Sequence, residues 1–204
     1  MSFLGEQFVI PGATTIGLLF KDGTILASER RVSYGNFIMS KSGRKVFKLT
    51  DNVGAACAGL ISDMQVLIRE VSAYSSLYVL EHNRPMSVKS VAKLMSSLLF
   101  ERRLYPMLTQ TIVGGVDESG PSLYILDPLG SVIPDKFASV GSGTEIAIGL
   151  LEADYKDDMS PKEARDLVMR SLKSAVARDI ASGEGADILV ISNNGIEEES
   201  APIK

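Results

Sequence analysis

The sequence has one cysteine, Cys57, one histidine, His82, and no tryptophan in 204 residues. A lone cysteine excludes an intrachain disulfide and lends no support to an oxidising compartment; it reads as a free thiol in the core. A lone histidine excludes a histidine-rich metal centre, and neither a Gly-x-Ser-x-Gly elbow nor a His-Glu-x-x-His pair occurs. His82 lies in a polar stretch before Arg84-Pro85 and reads as a loop residue rather than a base. No metal and no organic cofactor is expected. Positive charge is also short: 21 Lys and Arg face 25 Asp and Glu, for a net charge of −4. The adjacent basic pairs Arg30-Arg31, Arg44-Lys45 and Arg102-Arg103 are scattered and make no phosphate-binding stripe, so nucleic acid is not an expected partner. Apolar runs fall well short of the roughly 18 residues that would cross a membrane, and the chain does not start with the basic segment of a secretory signal. The expected compartment is the cytoplasm.

What is present is ordinary for a globular protein: 45% hydrophobic and 23% charged residues. The length fits one large domain with no internal linker. Residues 1–12, ending in the Pro11-Gly12 break, read as a removable arm, and 13–204 as the domain.

Short apolar runs broken by turns predict strands over 15–20, 24–28, 36–39, 45–49 and 52–58, with Lys21-Asp22-Gly23 as a hairpin turn. A helical period follows: Met64, Leu67, Ile68, Val71, Tyr74 and Tyr78 share one face, and Ser62 to Gln65 fits a capping box. A second helix is expected over 87–103, with Val88, Val91, Leu94, Met95, Leu98 and Leu99 inward. Strands return over 110–116, 122–127, 131–133 and 136–139. A third helix should run from Ser142 or Gly143 to Tyr155. Ser160-Pro161-Lys162-Glu163 opens a fourth, with Ala164, Leu167, Val168, Ser171, Leu172 and Ala175 inward. A last strand over 186–192 precedes Glu197-Glu198-Glu199, which reads as a solvated tail or turn. Two β halves alternating with two helical pairs can form four layers, with the sheets inside.

The most specific feature is the run Gly12-Ala13-Thr14-Thr15-Ile16-Gly17. After it come Glu29-Arg30-Arg31, Lys41-Ser42-Gly43-Arg44-Lys45-Val46-Phe47, Ala58-Gly59-Leu60, Gly114-Gly115-Val116-Asp117, Gly141-Ser142-Gly143 and Arg178-Asp179-Ile180-Ala181-Ser182-Gly183. In order and spacing this set resembles the β subunits of the 20S proteasome, the archaeal ones in particular, from Gly12 to about Asn193. The resemblance implies an α+β fold, the αββα sandwich of N-terminal nucleophile hydrolases, and an N-terminal threonine endopeptidase. In such an enzyme the threonine hydroxyl attacks the peptide and its own α-amine takes the proton, so no histidine is needed. The threonine becomes terminal when the preceding Gly–Thr bond cleaves itself.

Gly12 matches that glycine, which places Ala13 at the nucleophile position. Alanine has no hydroxyl, so neither self-cleavage nor hydrolysis can proceed at Ala13. Thr14 cannot take over, because a one-residue shift along a strand turns its side chain to the other face; Thr14 and Thr15 read as ordinary strand threonines. Lys45 matches the lysine whose charge activates the nucleophile, and Glu29 its acidic partner. Ser142, Asp179 and Ser182 match the polar network around the terminal amine, although Ser142 with Glu145 also fits a capping box. Gly59 matches the backbone oxyanion donor. Val32, Gly43, Phe47, Cys57 and Ile61 match positions lining the first specificity pocket, whose apolar walls imply cleavage after hydrophobic residues.

Retention of Glu29, Lys45, Ser142, Asp179 and Ser182 favours an engineered, isolated threonine-to-alanine replacement; a natural non-catalytic ring subunit is the alternative. The bacterial proteasome-like protease HslV fits the Glu-Arg-Arg and Gly-Arg-Lys-Val-Phe segments less well. The resemblance further implies sevenfold homo-oligomeric β rings capped by α-subunit rings, a regulatory ATPase, and unfolded proteins as substrates.

Overall fold

A computed structural model describes residues 12–203 of the chain. The expected arm, residues 1–12, lies outside the described residues apart from Gly12. The first hairpin is β1 (Thr15–Phe20) and β2 (Gly23–Glu29), closed by the expected turn with Phe20 opposite Gly23. A small hairpin, β3 (Val32–Tyr34) and β4 (Phe37–Ser40), turns at Gly35, whose φ is +56°. Next come β5 (Val46–Lys48), β6 (Val53–Gly59), α1 (Ile61–His82) and α2 (Val88–Glu101). The second half contains β7 (Thr109–Asp117), β8 (Gly120–Leu126), β9 (Ile133–Asp135), β10 (Phe137–Val140), α3 (Thr144–Asp154), α4 (Pro161–Val176), β11 (Gly185–Ser192) and β12 (Gly195–Pro202).

Two five-stranded antiparallel sheets result, ordered β10-β1-β2-β11-β12 and β5-β6-β7-β8-β9. Each strand alternates its side chains between two faces, and both faces are apolar because both are covered. On the first sheet Ile16, Leu18, Ile25 and Ala27 pack under Leu151, Leu167 and Leu172 of α3 and α4. On the second, Ala55, Cys57 and Val113 pack under Met64, Leu67, Met95 and Leu99 of α1 and α2. Between the sheets lie Leu26, Ala56, Ile112, Leu123 and Leu189, with Ala13 in the same cluster. Glycines let the sheets approach: a Cβ on Gly54 would meet Leu189 at 2.3 Å, and one on Gly114 would meet Thr24 at 2.6 Å. This is the expected four-layer αββα sandwich.

The structure departs from the sequence reading in several places. His82, expected in a loop, is the last residue of α1, because the helix runs on to Asn83, whose left-handed φ of +52° ends it. The two sheets do not follow the two halves of the chain: β10 leaves the second meander and pairs with β1, Val140 opposite Thr15. The N-cap of α1 is Leu60, with no side-chain cap; Ser62 is already helical, and Asp63 instead accepts the N–H of Leu108 at 2.8 Å. Tyr74 is exposed, and the small Ser75 takes the buried place on that face. The Glu197-Glu198-Glu199 run is no tail but part of the edge strand β12, opposite Val190, Leu189 and Ile188. An edge strand needs a partner on one side only, and charges there discourage pairing with a further chain. Arg44 and Arg165 compensate Glu198 and Glu199.

Candidate active site

Strand alternation sets the geometry around residue 13. Ile16 and Leu18 face α3 and α4; by the same period Thr14 faces that helical layer and Ala13 faces the space between the sheets. Ala13 is fully buried. Its N–H donates to Ser142 Oγ at 3.1 Å, and its carbonyl accepts the Gly143 N–H at 3.3 Å. Ser142 Oγ donates to Asp179 Oδ2 at 2.6 Å, and Ser182 Oγ donates to the same oxygen at 2.6 Å. The other carboxylate oxygen accepts the N–H of Ala181 at 3.1 Å. Ser142 is therefore engaged with residue 13 and Asp179, and α3, whose N-cap is Gly143, has no side-chain cap. Gly12 fits tightly against this group: a Cβ there would meet Ala181 at 2.2 Å and Ser142 Oγ at 2.5 Å.

Glu29, at the end of β2, and Lys45, just before β5, form a buried ion pair; Glu29 is 0% exposed and Lys45 2%. Lys45 Nζ also donates to the carbonyl of Arg31 at 2.7 Å. The second carboxylate oxygen of Glu29 accepts the N–H groups of Arg31, at 2.6 Å, and Gly183, at 3.0 Å. Burial pushes the Glu29 carboxyl up from the usual range, against the Lys45 charge and these hydrogen bonds. Burial likewise pushes Lys45 down, opposed by the charges of Glu29, Asp179 and Asp187. The Gly183 contact ties this pair to the 179–184 loop that carries Asp179 and Ser182.

Gly59 ends β6 with φ +129°, and a Cβ there would meet the Leu108 carbonyl oxygen at 2.1 Å. A glycine is required by both conformation and space. Of the expected pocket residues, Val32 lies against Gly43, where a Cβ would meet its Cγ2 at 2.2 Å. Cys57 is fully buried, its thiol pushed up to about 11 by desolvation. Phe47 and Ile61 pack half-buried against the same core as Cys57. The Cys57 N–H donates to the Lys45 carbonyl at 2.8 Å, which ties β6 to the residue that carries the ion pair's amine.

Residues 9–191 match the family model described as Proteasome subunit. The chain belongs to the proteasome subunit family. Proteasome subunit beta 1 of Cenarchaeum symbiosum is 50% identical over 189 residues, spanning 93% of this chain and 97% of that protein. Proteasome subunit beta 1 of Nitrosopumilus maritimus is 47% identical over 195 residues, 96% of this chain and 98% of that one. Proteasome subunit beta 2 of Thermofilum pendens is 49% identical over 195 residues, 96% and 95%. Within this proteasome-family fold the structure thus joins Ala13, Ser142, Asp179 and Ser182 in one network and links Glu29 and Lys45 to it through Gly183.

Two participants escaped the sequence reading. Arg31 stands in the sequence as a basic neighbour of Glu29 with no role of its own, yet its backbone contacts both members of the ion pair, and its guanidinium bonds the carbonyl of Ile180 at 2.9 Å and Glu184 at 3.1 Å. Its position two residues after Glu29 is the signal in the sequence, since it brings the Arg31 N–H within reach of the Glu29 carboxylate. Thr14 bonds Ser182 at 2.8 Å. Strand alternation turns it away from residue 13 but does not say what lies on that other face. No group of His, Cys, Asp and Glu suited to a metal occurs among the described residues. No helix among them is long and apolar enough to cross a membrane.

Proposed function

We propose that this chain is a β subunit of an archaeal-type proteasome core particle, with a threonine endopeptidase site that is complete except for its nucleophile. The observation that carries this reading is the convergence of the Ser142-Asp179-Ser182 network on the backbone nitrogen of Ala13. After cleavage at Gly12 that nitrogen would be the α-amine, the base of the reaction. Lys45, held charged by Glu29, would favour ionisation of a hydroxyl at position 13, and the Gly59 N–H would receive the oxyanion. With alanine at 13 the amine has no hydroxyl to deprotonate, so this chain keeps residues 1–12 and cuts no peptide.

Its role as it stands is to complete a sevenfold β ring, sequestered by α-subunit rings and fed with unfolded protein by a regulatory ATPase. Val32, Gly43, Phe47, Cys57 and Ile61 give the pocket an apolar wall, which fits cleavage after hydrophobic residues. The cytoplasm is the compartment in which such a particle would work. The test is Ala13→Thr, assembled with its α partner and checked for particle size. Loss of residues 1–12 by mass, together with hydrolysis of a fluorogenic peptide, is the expected result. Correctly sized particles that keep the arm and stay inert would overturn the catalytic reading in favour of a purely structural subunit.

A further inference from the structure

A hydroxyl has one proton to give, and that fixes the direction of the polar network. Ser182 Oγ lies 2.6 Å from Asp179 Oδ2 and 2.8 Å from Thr14 Oγ1. A carboxylate oxygen can only accept, so the Ser182 proton goes to Asp179. In the second contact Ser182 must then accept, and Thr14 must donate. On the other side Ser142 gives its proton to Asp179 Oδ2 and accepts the N–H of residue 13. The chain therefore runs from the nitrogen of residue 13 through Ser142 to Asp179, and back through Ser182 to the side chain of residue 14. Both ends lie on adjacent residues just before β1.

From this geometry we infer that Thr14 is a positioning residue for the amine base of the site. Its hydroxyl holds Ser182 in the rotamer that donates to Asp179, and Asp179 so held orients Ser142 toward the nitrogen at position 13. The inference rests on the catalytic reading proposed above and extends it to a residue that touches no substrate. Three observations support a placed hydroxyl. Thr14 and Ser182 are both 0% exposed, so no water competes for the contact. The pocket for the Thr14 oxygen is cut to size, since a Cβ on Gly143 would meet it at 2.0 Å. The Thr14 carbonyl is itself fixed by the Glu29 N–H at 3.2 Å, so the backbone that carries the hydroxyl is pinned to the strand bearing Glu29.

The test uses full chains carrying Ala13→Thr, assembled with the α partner, with turnover counted per processed subunit by mass. Adding Thr14→Val keeps the shape and removes the donor. The expected result is a kcat lower by roughly tenfold, a partial form of the roughly 100-fold that a 1 Å misplacement can cost, with KM within about twofold. Adding Thr14→Ser instead keeps the donor and should retain most of the parent kcat. If the valine form does not assemble, Thr14→Ala, which puts no methyl against Ser182, is held to the same expectation. An unchanged kcat in the donor-free form overturns the inference, and so does a serine form that falls as far as the valine form, since packing would then be the cause. If Ala13→Thr alone is inert in assembled particles, the catalytic reading has failed and this inference falls with it. An active Ala13→Thr parent with indifferent Thr14 variants removes this inference alone.

Discussion

At the scale of single residues, the buried Glu29–Lys45 pair makes the sharpest demand. Replacing such a pair by apolar groups is often tolerated, but removing one partner leaves a buried charge and costs about 3 to 5 kcal/mol. Lys45→Met should therefore lower the unfolding free energy by about that amount, read from urea midpoints. The sign with pH follows from the upward shift of Glu29. A carboxyl raised in the folded state favours folding below its unfolded value, and that contribution is lost as pH rises through the folded value. Without the Lys45 charge the folded value rises further, so the deficit of Lys45→Met should be smaller at pH 5 than at pH 8. Adding Glu29→Gln should recover much of the loss and flatten this dependence. A deficit that is the same at both pH values would mean that Glu29 is not the group left uncompensated. None of these contacts was derivable from local pattern. Residues 13 and 142, or 14 and 182, are 129 and 168 positions apart, and only the resemblance placed most of them at one site. The strand period says only that Thr14 points away from residue 13; its partner Ser182 comes from a loop on the far side of α4 in the chain.

At the scale of elements, local chemistry was legible where it was self-contained. The fourth helix reads directly: Ser160 accepts the Glu163 N–H, the Glu163 carboxylate accepts the Ser160 N–H, and the buried face is the predicted one. The first helix misled because its start is set from outside. Leu60 is fixed by its N–H bond to the Leu108 carbonyl at 2.7 Å, while Gly59 turns at positive φ to let the chains pass. The acidic β12 misled for a similar reason, since its strand conformation is supplied by β11 and not by its own composition. The Gly59 junction joins β6 to α1 and supplies the candidate oxyanion donor, so it can be tested as an element boundary. Gly59→Ala must adopt an unfavourable φ and press a methyl on the Leu108 carbonyl oxygen. A cost of at least about 2 kcal/mol is expected, seen as a lower urea midpoint. An unchanged midpoint would show that the junction relaxes freely and that a glycine is not needed there.

For the whole molecule, the two apolar sheets facing each other make the sandwich interior the part of the fold with least access to water. Strands β1, β2, β6, β7, β8 and β11 each have neighbours on both sides, and their inward faces carry Leu26, Ala56, Ile112 and Leu189, each no more than 1% exposed. The β3–β4 hairpin is the opposite case. It pairs with neither large sheet, and Tyr34, Phe37 and Met39 are 61%, 69% and 61% exposed. Local opening costs least where few apolar contacts must be broken. Amide hydrogen exchange of the isolated subunit should therefore be slowest in β2, β6 and β7 and faster by orders of magnitude in β3 and β4. The β12 edge should be intermediate, because one of its sides is unpaired. This ordering follows from the topology and is independent of catalysis, so Ala13→Thr should preserve it. Equal protection of the hairpin and the central strands in the isolated chain would mean that β3 and β4 pack on the sandwich more closely than the structure places them. The ordering also bears on the site: Ala13 precedes the well-protected β1, while Lys45 follows the exposed hairpin and is held at the other end by β5. The Glu29 and Arg31 contacts then have to fix Lys45 against motion of the hairpin, and Lys45→Met should accelerate exchange in β3 and β4 while leaving β6 and β7 slow relative to them.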